Sequence, residues 1–257
     1  MAAASELLDG DRGVRRYGVL IIVLVVGSAV AGGVGEFLVP SQLIVATDAE
    51  ATARNVLASN GLYRLSIVAW FVEALLDVGL TVTFYALVRR TGREPALLAA
   101  FLRLLGTGVF AAGELFYAAP LVILGASSTI PSVPPEQLSA MALLSFRIYG
   151  SASAIANGFY GAGTAVVGAL QLRSGEAPRW AGALMAIGGV GFALGTVLSL
   201  VAPAVRAGGL VALSAAAIGV GALAWGASLA RAVTSPSASG SSERSHRPRP
   251  DSRRSST

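Results

Sequence analysis

Residues 17–39 read YGVLIIVLVVGSAVAGGVGEFLV, twenty-three positions with a single charge, Glu36. An α-helix needs about 20 apolar residues to cross the hydrocarbon core of a bilayer. This run therefore decides the class of protein. Five more runs of the same kind follow, at roughly 62–88, 96–125, 137–172, 179–202 and 208–230. Composition agrees. Of 257 residues, 54% are hydrophobic and 13% charged, with a mean hydropathy of +0.69. That charged share is about half the usual one in soluble domains. A disordered chain, a disulfide scaffold and an ordinary soluble enzyme are all excluded. The expectation is an all-α polytopic transmembrane bundle of six spanning helices. Residues 1–16 form an N-terminal segment, 17–230 the membrane domain, and 231–257 a basic Ser/Arg-rich tail.

Arginine sets the expected orientation. All 19 basic residues are arginine. Fourteen fall before segment one, between segments two and three, between four and five, or after six. Only Arg54, Arg64 and Arg206 fall in the loops of the other side. The positive-inside rule puts both termini in the cytoplasm of a cell membrane. Segment one also has the look of a secretory signal, with Ala29-Val30-Ala31 as a cleavage motif. Its apolar run continues past that point to about residue 39, longer than a usual signal core, so a retained helix is expected.

Local signals fill in the loops. Thr47-Asp48-Ala49-Glu50 has capping-box spacing, Ala51 to Ser59 continues as helix-forming sequence, and Asn60-Gly61 supplies a stop. This predicts a short helix over the outer face of the bundle. Pro134-Pro135-Glu136-Gln137 opens segment four outside the membrane. Pro120 predicts a kink in segment three, with the freed carbonyl met by a neighbour. Small residues recur at helical spacing: Ala154, Gly158 and Ala162, then Gly191 and Gly195, then Ala222 and Gly226. Such stripes let membrane helices approach closely. They serve packing within the bundle, and Gly191 with Gly195 offers a route to a homo-oligomer. The tail, with Arg244, Arg247, Arg249, Arg253 and Arg254, is either solvated or in contact with anionic lipid.

What is missing narrows the chemistry. Without lysine there is no Schiff base, Ser–Lys dyad or P-loop. Without cysteine there is no thiolate nucleophile or iron–sulfur ligand. The single histidine, His246, lies in the tail. No catalytic residue, cofactor, metal ligand or nucleic-acid partner is expected; the partner is the lipid bilayer. An intramembrane enzyme is the weakest reading, since an aspartyl mechanism needs two membrane Asp and only Asp77 is present.

Six ionisable residues remain inside the apolar segments: Glu36, Glu73, Asp77, Arg103, Glu114 and Arg147, with Asn157 as a neutral addition. Each charge in a spanning helix costs about 2.5–3.5 kcal/mol or more. Glu73 and Asp77 are four apart and share a helix face. Counting from the helix ends puts Asp77 and Arg103 at similar depth, which predicts a buried pair. Glu36, Glu73, Glu114 and Arg147 fall in the middle to outer half. Two arginines face four carboxylates, so two acids are left to carry a proton or hold a cation. Two functions follow. One is a small proton- or cation-coupled transporter with a buried carboxylate site. The other is a structural or regulatory membrane protein, with the charges fixing helix register and the tail contacting lipid or a partner.

The text also resembles a family. Gly35-Glu36-Phe37, Ala51-Thr52-Ala53-Arg54-Asn55-Val56-Leu57-Ala58-Ser59, Arg64-Leu65, Asp77-Val78 and Ala100-Phe101-Leu102-Arg103-Leu104 carry the resemblance. Tyr149-Gly150, Phe159-Tyr160-Gly161, Arg173-Ser174-Gly175 and Pro178-Arg179-Trp180-Ala181-Gly182 continue it. The chain resembles the bacterial domain-of-unknown-function family 4386, small integral membrane proteins. The resemblance implies a six-helix membrane domain and no established activity. Family members commonly carry histidines near the positions of Arg147 and Gly163. This chain has neither, so a family role needing an imidazole there is not carried over.

Overall fold

The computed structural model describes residues 11–202 and 208–231. The expectations for the tail from Ala232 onward and for Arg206 lie outside these residues. Six helices are long and apolar enough to cross a membrane. The first span runs through α1 (Asp11–Gly32), a π-helical segment (Gly33–Leu38) and α2 (Val39–Leu43). The short helix α3 (Ala49–Ala58) follows. The other spans are α4 (Asn60–Val88), α5 (Arg93–Gly125), α6 (Pro135–Ser174), α7 (Arg179–Val201) and α8 (Gly208–Arg231). No strand occurs among the described residues.

The spans pack in chain order. α1 lies against α4, α4 against α5, α5 against α6, α6 against α7, α7 against α8, and α8 returns to α1. Close approach of backbones holds the last four contacts of this ring. A Cβ on Gly161 of α6 would stand 2.5 Å from the Gly189 carbonyl of α7, and one on Gly189 would stand 2.5 Å from the Gly161 carbonyl. The small-residue stripes resolve in the same way. Gly158 faces Thr196 of α7, Gly191 and Gly195 face Ser214 and Val211 of α8, and Gly226 faces Gly18 of α1.

Two apolar clusters divide the bundle along its length. At the end bearing Arg89, Arg90 and Arg173, here the basic end, Ile21, Phe84, Val167, Met185 and Trp225 form a closed core. Phe84 and Trp225 stack there, 5.4 Å apart. Toward the opposite end Tyr63, Trp70, Tyr117, Leu138 and Phe146 pack with Val56 of α3. The loop helix caps itself with Asp48, whose carboxylate accepts from the Ala51 N–H at 2.8 Å. The cap is thus one residue later than the Thr47 start. Asn60-Gly61 opens α4 where a stop was expected, because Ser59 alone breaks the chain and Asn60 accepts from Arg64 Nε at 2.7 Å. Asn55 of α3 donates to the Leu43 carbonyl at 3.2 Å and so ties down the end of the first span.

Candidate functional site

The site begins with a weak helix. Gly32, Gly33 and Gly35 have little intrinsic preference for α-helix, and Pro40 offers no N–H. The hydrogen-bond ladder widens to a π-helix over Gly33–Leu38, and Glu36 lies on it. The glycines also make room. A Cβ on Gly32 would stand 2.6 Å from Glu73 Oε1, and one on Gly35 would stand 3.2 Å from the Trp70 ring.

Glu36 on the π-segment, Glu73 and Asp77 on α4, and Asn157 and Tyr160 on α6 line one crevice of about 670 Å³. Apart from Ser28 and Thr107, its remaining walls are apolar and come largely from α1 and α8. No arginine lines it. Glu73 Oε2 is buried without a hydrogen-bond partner. Glu114 lies beside the crevice on α5. Its Oε1 is likewise buried and unpartnered, and it is within electrostatic reach of Glu73. The Tyr149 hydroxyl is within reach of all three glutamates.

Asp77 belongs to a different arrangement. Arg103 is completely buried. Its Nε donates to Thr81 Oγ1 at 3.0 Å, one terminal nitrogen to Thr164 Oγ1, and the other to the Tyr160 hydroxyl at 2.7 Å. Tyr160 in turn donates to Asp77 Oδ1 at 3.1 Å. The guanidinium also stands 4.0 Å from the Tyr160 ring centre and 5.3 Å from that of Phe84. Tyr160 therefore stands between acid and base, where the sequence predicted direct contact. Each guanidinium nitrogen donates to a hydroxyl and two rings lie against the cation, so Arg103 is held in place beside Asp77.

Arg147 goes elsewhere. It is exposed and donates to the Ala46 carbonyl at 3.2 Å. An ion pair within 4 Å joins Arg54 to Glu50 on the exposed face of α3. Of the six residues singled out, Glu36, Glu73 and Asp77 share the crevice, Arg103 closes its basic end through Tyr160, Glu114 stands beside it, and Arg147 is outside. Sequence reasoning named Tyr149 and Tyr160 only for the family resemblance, not as part of the site, and passed over Thr164. Their spacing on α6 was a usable signal, since positions 149, 160 and 164 return to one helix face.

The fold and the buried charges define a polytopic helical membrane protein with an acidic crevice. The chain belongs to the family described as Domain of unknown function (DUF4386), which it matches over residues 20–229. No curated protein and no solved structure matches it.

Proposed function

We propose that the chain is a small proton- or cation-coupled transporter of the cytoplasmic membrane, with both termini in the cytoplasm and Glu36 and Glu73 as its coupling site. The observation that carries this reading is Glu73, a carboxylate buried without a partner on the wall of an open crevice. A charge in that position is costly, and uptake of a proton or a cation offsets the cost. Binding at the site is thereby linked to the charge of the two acids. Asp77, Tyr160 and Arg103 act as the floor. Their mutual hydrogen bonds and the closed apolar core beyond them separate the crevice from the basic end.

The test is flux. Purified protein in liposomes containing a pH-sensitive dye should dissipate an imposed pH gradient faster than empty liposomes. Glu73→Gln should abolish the difference. Wild-type protein that behaves like empty liposomes, both here and under an imposed sodium gradient read by a sodium-sensitive dye, overturns the reading in favour of a structural or regulatory membrane protein.

A further inference from the structure

The crevice has a mouth as well as a floor. α1 and α8 are in backbone contact at the basic end, where a Cβ on Gly18 would stand 2.6 Å from Gly226 O and Ala230 N. Further along, the same two helices line the crevice, from Val25 to Phe37 and from Val211 to Leu223. Val26, Val30, Phe37 and Val220 on these stretches are 48%, 63%, 65% and 51% exposed. Ala212, Ala215 and Ala216 are exposed too, and their small side chains leave the gap wide. The mouth therefore opens sideways between two spanning helices, at the level where lipid chains lie.

Three features say what fits. The walls are mostly apolar, with the Phe110 and Phe192 rings among them. The polar end is acidic, with Glu36 and Glu73 in the lining, Glu73 Oε2 buried without a hydrogen-bond partner, and no arginine among the lining residues. The acids are spread out, since among the described residues no three carboxylates converge as a metal site requires. A volume near 670 Å³ is that of a site for a drug-sized organic molecule. An anionic lipid headgroup meets repulsion there. An organic cation finds carboxylates and aromatic faces at one end and hydrocarbon at the other.

We infer that the crevice between α1 and α8 binds amphipathic organic cations, hydrophobic ammonium or phosphonium compounds, that reach Glu36 and Glu73 laterally from the bilayer. The inference rests on the same two acids as the proposed coupling site and names the class of substrate.

The probe is tritiated tetraphenylphosphonium, whose charge cannot be lost as a proton. Full-length protein in phosphatidylcholine nanodiscs should bind it saturably above empty nanodiscs. Dodecylammonium should compete, whereas methylammonium, a cation without a tail, and dodecanoate, a tail without a cation, should not. Glu36→Gln with Glu73→Gln should weaken binding at least tenfold. If that double variant does not fold, Ala216→Trp, which narrows the mouth from an exposed position, should weaken it to a similar degree. Absence of saturable binding to the wild type, equal binding by the folded variants, or equal competition by dodecanoate overturns the inference. Gradient-driven flux without tetraphenylphosphonium binding overturns it too, and leaves the coupling site standing. Acid-dependent binding without any flux keeps the inference and overturns the transporter reading.

Discussion

Tyr160 is the residue on which the buried charges turn. Its hydroxyl accepts from Arg103 and donates to Asp77, so one oxygen serves both partners. Tyr160→Phe leaves a guanidinium nitrogen and a carboxylate oxygen short of one bond each. An unsatisfied buried group costs about 1–3 kcal/mol, more when charged, so the variant should melt several degrees lower in lipid. Asp77→Asn and Arg103→Gln should each destabilise as well. Because they act through one network, the double variant should be less harmful than the two singles summed. Strict additivity in melting shifts counts against the network. Gly32 bears on the site in a different way. A methyl there meets only the tip of the Glu73 side chain. Gly32→Ala should therefore leave melting nearly unchanged and alter flux by displacing Glu73. A loss of folding of more than about 2 kcal/mol would show that the helix, and not the carboxylate, needs the glycine.

Between elements, the glycines divide into those that permit contact and those that do not. A Cβ on Gly168 of α6 would stand 2.5 Å from Ala186 N and 2.6 Å from Gly182 O of α7, both backbone atoms that cannot step aside. Gly168→Val must force these helices apart, with a loss comparable to the about 1–3 kcal/mol of an overpacked core. Gly150, on the same helix, has nothing within 4 Å. Gly150→Ala should be neutral or stabilising by about 0.5–1 kcal/mol, from helix propensity alone. Chemical or thermal denaturation of the two variants side by side checks the contrast. The helices themselves were legible because crossing a membrane takes a fixed length of apolar sequence. Segment two, read from Leu62, begins at Asn60, and segment three, read from Ala96, begins at Arg93. Such ends run past the apolar stretch because a helix continues into the polar layer wherever its backbone bonds can. The π-segment was not legible. A change of hydrogen-bond register leaves no mark on apolar spacing, and only the glycines at 32, 33 and 35 hinted at a weak ladder.

For the whole molecule, the proposed topology, with both termini in the cytoplasm, rests on the arrangement of arginines. Reporter fusions at Thr47, Thr91, Ser132 and the C-terminus should read out, in, out, in. A C-terminal reporter on the outside contradicts it. The order of helices around the ring lies beyond such patterns. Nothing in the period of α1 or α8 states that these two are neighbours, so the crevice between them was invisible in sequence although all three of its acids had been singled out. Asp77 and Arg103 do come together, through Tyr160, whereas Arg147, counted with the buried charges, is exposed. That residue sits in the first half of a 40-residue helix, and its partner is a loop carbonyl. With Arg147 turned away and Arg103 held by Thr81, Thr164 and Tyr160, neither arginine singled out among the described residues pairs with the three glutamates, a larger imbalance than counting residues implied. The central claim is that Glu36 and Glu73 form a reachable, working site and not a register lock. It is tested most directly by treating proteoliposomes with the hydrophobic reagent dicyclohexylcarbodiimide and mapping the carboxyl adducts by peptide mass spectrometry. The account predicts adducts on Glu36 or Glu73, in proportion to the loss of gradient-driven flux and reduced by tetraphenylphosphonium. Adducts confined to other carboxylates, or modification of these two with flux unchanged, would contradict it.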